Sequence, residues 1–120
     1  MRPLRESKVA RAKDLMGRAV HDRDGERLGR LIDFAIDLDP VRIGYAVLSF
    51  GGFRHAGEKL FALPPRSLAF DPRAEILRVD VARRLLKNAP GFDRASWPDM
   101  GDREWGARVY NHYGLTPYWE

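Results

Sequence analysis

The residues of this 120-residue chain that could do chemistry are few and scattered. Its three histidines, His21, His55 and His112, fall in a predicted strand, a glycine-rich turn and a predicted helix, with neither HxH nor HxxxH spacing. The chain has no cysteine, which excludes disulfides and thiolate metal sites. No serine lies in the G-x-S-x-G context of a nucleophile elbow. The sequence therefore predicts no catalytic residue, no metal site and no cofactor.

Three aspartates, Asp33, Asp37 and Asp39, lie two or four residues apart in a predicted strand and alternate with apolar residues. Because successive side chains of a strand point to opposite faces, the three carboxylates share one face. A row of like charges could bind a cation or a basic partner. More often such a row is a solvated outer face beside basic residues of the neighbouring strand, and we favour that interpretation.

The glycine-rich stretch GGFRHAGEK, residues 51–59, could be mistaken for a phosphate-binding loop. It lacks the Walker spacing, and no predicted helix follows it to supply a positive N-terminal dipole. We interpret it as the turn of a hairpin. Arg54 and His55 are its unusual residues, and since loops on rigid scaffolds often carry function, both are candidate interaction residues.

Turn signals divide residues 18–80 into five or six short strands. They are Asp24-Gly25, Asp39-Pro40, Pro64-Pro65 and Asp71-Pro72. Residues 32–39 alternate between apolar and polar, which is typical of a sheet with one buried face. Residues 43–50 are almost continuously apolar, which favours a strand buried on both faces. Short strands at this spacing predict a mainly β fold, a small closed or nearly closed barrel.

The pattern becomes helical after Asp80. Residues 81–89 are helical in composition, with Asp80 as the predicted N-cap. Asp102 is the predicted cap of a second helix, residues 103–113. The sequence therefore predicts three parts: a basic flexible arm (residues 1–13), the barrel (residues 14–83) and a helical extension (residues 84–120).

The excess of basic side chains lies at the N-terminus. The formal net charge is +4, and the arm, with five basic side chains against Glu6 alone, accounts for all of it. Such an arm could contact nucleic acid or an anionic membrane surface; the simpler interpretation is a solvated terminus.

The composition is that of a globular protein, with 44% hydrophobic and 32% charged residues. No apolar run approaches the roughly 20 residues of a transmembrane helix, and no secretory signal precedes the barrel. We therefore expect no transmembrane segment and a cytoplasmic location.

These segments, in this order, resemble the PRC-barrel family. The matching runs are GRAV (17–20), DGERLGR (24–30), IDFAID (32–37), YAVLSFGG (45–52) and GEKLFALP (57–64) with Ser67-Leu68. The family is named for the cytoplasmic barrel of the photosynthetic reaction-centre H subunit and includes the C-terminal domain of the ribosome maturation factor RimM. The run LKNAPGFD (86–93), Trp97-Pro98 and Tyr118-Trp119 are similar to the C-terminal extension of a stand-alone bacterial subgroup. At Arg54-His55 the sequence departs from the small or apolar residues expected.

Large aromatic residues are concentrated in the last third of the chain. Seven rings exceed what two short helices can bury by themselves, so we expect them to lock the extension onto the barrel or onto a second subunit. The candidate interaction residues among them are Trp97, Trp105, Tyr118 and Trp119.

The resemblance implies a small barrel that works by binding, as an adaptor or regulatory module without general catalytic activity. The first interpretation is therefore a non-enzymatic, self-associating interaction module whose protein partner is unknown. A second is an RNA- or ribosome-associated factor that uses the basic arm. The third and weakest is an enzyme or small-ligand binder that uses His55 at the barrel mouth.

Overall fold

The computed structural model describes residues 9–51 and 58–120. The described chain contains six strands, three short α-helices and one 3-10 turn at Pro65–Ser67. In chain order the elements are α1 (Ala12–Leu15), β1 (Ala19–His21), β2 (Arg27–Leu38), β3 (Val41–Gly51), β4 (Glu58–Leu63), β5 (Leu68–Asp71), β6 (Ile76–Val79), α2 (Arg83–Lys87) and α3 (Arg103–His112).

The six strands form one curled sheet in the order β4-β3-β2-β1-β6-β5, a half-barrel with β4 and β5 at its edges. Neighbouring strands are antiparallel except β1 and β6, which are parallel. The register between β2 and β3 shifts between Leu31 and Asp33 and again between Ala35 and Ile36. Such irregularities bend a strand and raise its twist, which helps the sheet to curl. The predicted mainly β, barrel-type fold is confirmed.

The longest hairpin extends beyond its neighbours in the sheet. β1 pairs only with residues 27–30 of β2, and β4 pairs only with residues 46–51 of β3. Residues 33–45, which we call the projecting hairpin, therefore leave the sheet as a two-stranded ribbon around the turn at Asp39-Pro40.

The core lies inside the curl and is apolar. Val20, Leu31, Leu48 and Leu60 are fully buried there. Gly29 is required where β2 crosses β3, because a Cβ at that position would lie 1.7 Å from the carbonyl oxygen of Ser49.

A buried carboxylate organises the turn between β1 and β2. Asp22 is only 1% exposed, and its Oδ1 accepts hydrogen bonds from the backbone N–H groups of Asp24 (2.9 Å) and Glu26 (3.0 Å). Its Oδ2 accepts from Arg83 at 3.3 Å, which ties α2 to the turn. Gly25 has φ 88°, so the predicted Asp24-Gly25 turn is confirmed with its glycine in the left-handed region.

The two longer helices differ in how they begin. Asp102 caps α3 as predicted, since its Oδ1 accepts from the N–H of Glu104 at 2.9 Å. The prediction that Asp80 caps the first helix is wrong: α2 begins at Arg83, and its N-cap is Ala82 without a side-chain bond. Asp80 instead pairs with Arg23 at 3.0 Å, because the helix does not begin until three residues after it.

The buried and exposed aspartates predict different stability effects. Asp22→Ala should lower the free energy of unfolding by about 2–3 kcal/mol, because it removes a buried carboxylate together with its two backbone hydrogen bonds and its bond to Arg83. Asp80→Ala removes only an exposed ion pair and should change it by less than about 0.5 kcal/mol. Urea denaturation with a common m-value measures both. Equal losses in the two variants would contradict the structural role given to Asp22.

Candidate interaction surface

An aromatic cluster joins the C-terminal extension to the sheet. Tyr45 on β3 is 2% exposed, and its ring centroid lies 5.1 Å from that of Trp105, 5.7 Å from Tyr110 and 5.9 Å from Tyr118. Trp119 stacks edge-on against Tyr118 at 5.0 Å. Tilted and edge-to-face pairs at these distances are favourable beyond their area burial, so the cluster holds α3 and the C-terminal residues on β3.

A glycine lets α3 approach Tyr45. A Cβ at Gly106 would lie 2.2 Å from Tyr45 Oη and 2.7 Å from Trp119 Cη2, so any larger residue would push these rings apart. One turn further along, Tyr110 Oη donates to the carbonyl oxygen of Gly44 at 2.6 Å. This bond anchors the helix to the backbone of the projecting hairpin.

Charged and phenolic groups cover one face of the projecting hairpin. Asp37 pairs across the strands with Arg42, which gives this aspartate the basic neighbour expected from the sequence. Tyr118 Oη donates to Asp37 Oδ2 at 2.7 Å. The Arg42 guanidinium lies 4.6 Å from the centroid of the Tyr118 ring, a cation–π distance.

The hydrogen bond between Tyr118 and Asp37 contributes to opposite pKa shifts in the two side chains. The Tyr118 hydroxyl, followed by the N–H of Asp39, lowers the pKa of the Asp37 carboxyl below its ordinary 3.8. Burial, followed by the bond to Asp37, raises the pKa of Tyr118 to about 12. At neutral pH the phenol therefore remains a donor and the carboxylate an acceptor, and the C-terminal segment stays bonded to the hairpin.

A cavity of about 320 Å³ lies between the projecting hairpin and the start of α3. One wall is formed by residues 35–38 of β2, and the other includes Met100, Arg103 and Trp119. The Arg103 guanidinium lies 5.2 Å from the Trp119 ring centroid. We call this cavity the hairpin groove.

The opposite face of the projecting hairpin is aliphatic and exposed. Ile36 pairs directly with Ile43, and Leu38 with Val41. Their exposed fractions are 45% and 43% for the first pair and 79% and 76% for the second. The alternating pattern of β2 predicted a buried apolar face; that is wrong at Ile36 and Leu38, because the hairpin extends past the curled sheet whose interior holds the core. We call these four residues the aliphatic face.

The structure brings together three of the residues predicted to mediate interactions. Trp105, Tyr118 and Trp119 lie in the cluster around Tyr45. Trp97 lies apart from them, 39% exposed, with its ring 5.1 Å from Phe92. Arg54 and His55 lie outside the described residues, so their role at the turn stays a prediction, as does contact of any of these aromatics with a partner.

Two parts of this surface were missed from the sequence. Ile36, Leu38 and Ile43 were assigned to buried strand faces and Val41 to no face, although the position of all four around Asp39-Pro40 indicates the tip of a hairpin. The pairing of Tyr118 with Asp37 joins residues 81 positions apart, and no local pattern signals it. Among the described residues, no three histidine or carboxylate side chains converge into a possible metal site.

Comparison with protein-family models supports the architecture. The model of the PRC-barrel domain matches residues 8–86. The chain therefore belongs to the PRC-barrel family, and the resemblance drawn from the sequence is confirmed. A search of curated proteins finds no match. In the described part of the chain, every helix is too short or too polar to cross a bilayer.

The bond between Tyr118 and Asp37 predicts a pH effect. Tyr118→Phe should raise the carboxyl pKa of Asp37 toward 3.8, because the largest cause of its lowering is removed. Since the folded-state pKa is depressed, the stability that the bond contributes is present above the unfolded pKa and is lost as pH falls through the folded one. NMR titration of the Asp37 carboxyl measures this shift.

Asp71 is the internal control for that titration. Its pKa is lowered mainly by the N–H groups of Ala74 and Arg73, which Tyr118 does not touch. Asp71 should have the same pKa in the wild-type protein and in the Tyr118→Phe variant. An unchanged Asp37 pKa in the variant would show that Tyr118 does not bond to it in solution.

Proposed function

We propose that this PRC-barrel protein is a non-enzymatic interaction module that self-associates through the aliphatic face. The observation that carries the proposal is the exposure of Ile36, Leu38, Val41 and Ile43 on a regular hairpin. Contiguous apolar side chains at a protein surface mark interaction sites. The bacterial cytoplasm, expected from the sequence, is part of the same proposal.

The distribution of charge favours a second copy as the occupant of this face. The cross-strand pair Asp37 and Arg42 lies between the two aliphatic pairs and therefore points to the opposite side of the ribbon. Two hairpins can pack aliphatic face to aliphatic face without bringing those charges together. A two-fold axis then places the same patch on both sides of the contact, which is the commonest geometry of homodimers.

The chemistry of the described residues is consistent with binding rather than catalysis. PRC-barrel domains are generally non-catalytic modules. The perturbed groups of the candidate surface are tyrosines such as Tyr110, whose pKa burial raises to about 12, and Asp37, whose pKa is lowered. Both shifts lead away from neutral pH, whereas a general acid or base needs a pKa near the working pH.

Self-association predicts a concentration-dependent mass. The wild-type protein should approach twice the chain mass of 13.7 kDa, and Leu38→Glu should weaken the dimer at least tenfold, about 1.4 kcal/mol, because it places a charge in an apolar contact. Val9→Glu is the matched control, since Val9 is also 79% exposed but lies far along the chain from the hairpin.

Sedimentation equilibrium over a range of protein concentrations measures both variants, and circular dichroism confirms that they are folded. A wild-type protein that stays monomeric at every concentration would contradict the proposal. Equal weakening by the two substitutions would also contradict it, because the contact would then not depend on the aliphatic face.

The basic arm supports the second candidate function, association with RNA or the ribosome. The arm contains the whole net charge of the chain, and its described basic residues Arg11 and Lys13 are exposed. Charge neutralisation of phosphates makes such binding strongly salt-dependent.

A pair of matched variants tests this candidate. Arg11→Gln with Lys13→Gln should weaken binding to a single-stranded oligouridine and flatten the plot of log affinity against log salt by about 1.4, for two lost phosphate contacts. Arg30→Gln with Lys87→Gln removes the same charge from exposed positions on the body and should leave the slope unchanged. Equal slopes in all three proteins, measured by fluorescence anisotropy, would exclude a role for the arm.

A further inference from the structure

The edge of β2 that faces away from β3 is open along the projecting hairpin. β1 pairs with β2 only as far as Arg30, and the backbone bonds of Gly17 and Arg18 continue this side only to Leu31. Across the residues that the structure describes, β3 is the only strand beside residues 33–38 of β2. An open edge presents backbone N–H and C=O groups to which another chain can pair.

The hairpin groove borders the same stretch of β2 and also reaches Gly44 and Tyr45 of β3. Four consecutive residues, 35–38, line it, although their side chains point alternately to the two faces of the ribbon. The groove's volume of about 320 Å³ is within the range of natural ligand pockets.

The strand that borders the groove is acidic on one face and aliphatic on the other. Asp33 and Asp39 are exposed, and Asp37 lies between them with a lowered pKa that keeps it ionised at neutral pH. Ile36 and Leu38 occupy the alternate positions. Arg103 is the cation on the opposite wall, and it lies against Trp119. A strand added to this edge would meet carboxylates on one face and aliphatic side chains on the other.

We propose that the open edge of β2 binds an extended segment of a partner protein in which basic and aliphatic residues alternate, as an additional strand along the hairpin groove. Backbone bonds to residues 35–38 hold the segment, since the N–H of Phe34 already donates to Asp33 Oδ1 at 2.8 Å. Its basic side chains lie beside the exposed Asp33 and Asp39, and its aliphatic side chains extend the row of Ile36 and Leu38. Directly adjacent cross-strand pairs of opposite charge and of aliphatic groups are the pairs that stabilise sheets.

The same charges argue against a second copy at this edge. Two β2 edges paired with each other would place aspartates of one copy beside aspartates of the other, and like charges on adjacent strands are destabilising. The proposed partner strand therefore differs from the self-association proposed above, which uses the aliphatic face and leaves the backbone edge unpaired. Either proposal can fail without the other.

The test uses three blocked hexapeptides and the full-length chain. The first alternates lysine and valine, the second alternates glutamate and valine, and the third repeats the first with every backbone nitrogen methylated. Amide hydrogen exchange and chemical shifts of residues 33–38, followed by NMR during titration, report pairing at the edge. The lysine–valine peptide should slow exchange of the edge amides at least tenfold at saturation, and the other two should not.

Charge-neutral variants test the contribution of the aspartates. Asp33→Asn with Asp39→Asn should weaken binding of the lysine–valine peptide at least tenfold. Asp24→Asn with Asp93→Asn is the matched control, since it removes two exposed carboxylates far from the groove, and it should bind as the wild type does.

Three results would overturn the proposal. They are no binding of the lysine–valine peptide, equal binding of the methylated peptide, and protection of residues 33–38 that rises with protein concentration alone, which would assign the edge to a second copy. Sedimentation of the same samples separates the two proposals. A monomeric protein that binds the lysine–valine peptide would refute only self-association. A dimeric protein that does not bind this peptide would refute only the proposed partner strand.

Discussion

The burial of Tyr45 among the rings of the C-terminal extension is the interaction on which the rest of the structure depends. A ten-residue helix such as α3 is marginal in water, because its first turn costs more conformational entropy than one hydrogen bond returns. Packing on Tyr45 supplies the missing stability, and the absence of a side chain at Gly106 permits it. The extension is held on β3 by its aromatic residues.

The same packing decides which surfaces of the projecting hairpin remain available. Tyr118 covers the face that carries Asp37 and Arg42, and the start of α3 forms the far wall of the hairpin groove. Among the residues that the structure describes, none covers the aliphatic face or pairs with the outer edge of β2 along residues 33–38. The projecting hairpin has two faces and two edges. The C-terminal extension packs on the face that carries Asp37 and Arg42, and the start of α3 lies across the hairpin groove from β2. The surfaces available for interaction are those that the extension leaves uncovered.

Much of the fold was predictable because it rests on local patterns. Turn residues such as Asp24-Gly25 and the apolar run of β3 predict the strands, and Asp102 predicts the start of α3. Asp80 failed as a cap because a favourable cap residue does not decide where a helix begins when the preceding chain stays extended. Ile36 and Leu38 were assigned to a buried face because alternation shows that a strand has two unlike faces, but not whether anything covers the apolar one.

The sequence by itself determined the family, the approximate positions of five or six strands along the chain and the absence of a recognisable catalytic motif, since these depend on residues close together in the chain. Only the tertiary structure decided that Tyr118 bonds to Asp37, that the tip of the β2–β3 hairpin extends past β1 and β4, and that the start of α3 borders a groove beside β2. These features depend on where strands and helices that are distant in the chain end relative to one another in space. Strand length and long-range packing set those positions, and neither leaves a local pattern in the chain.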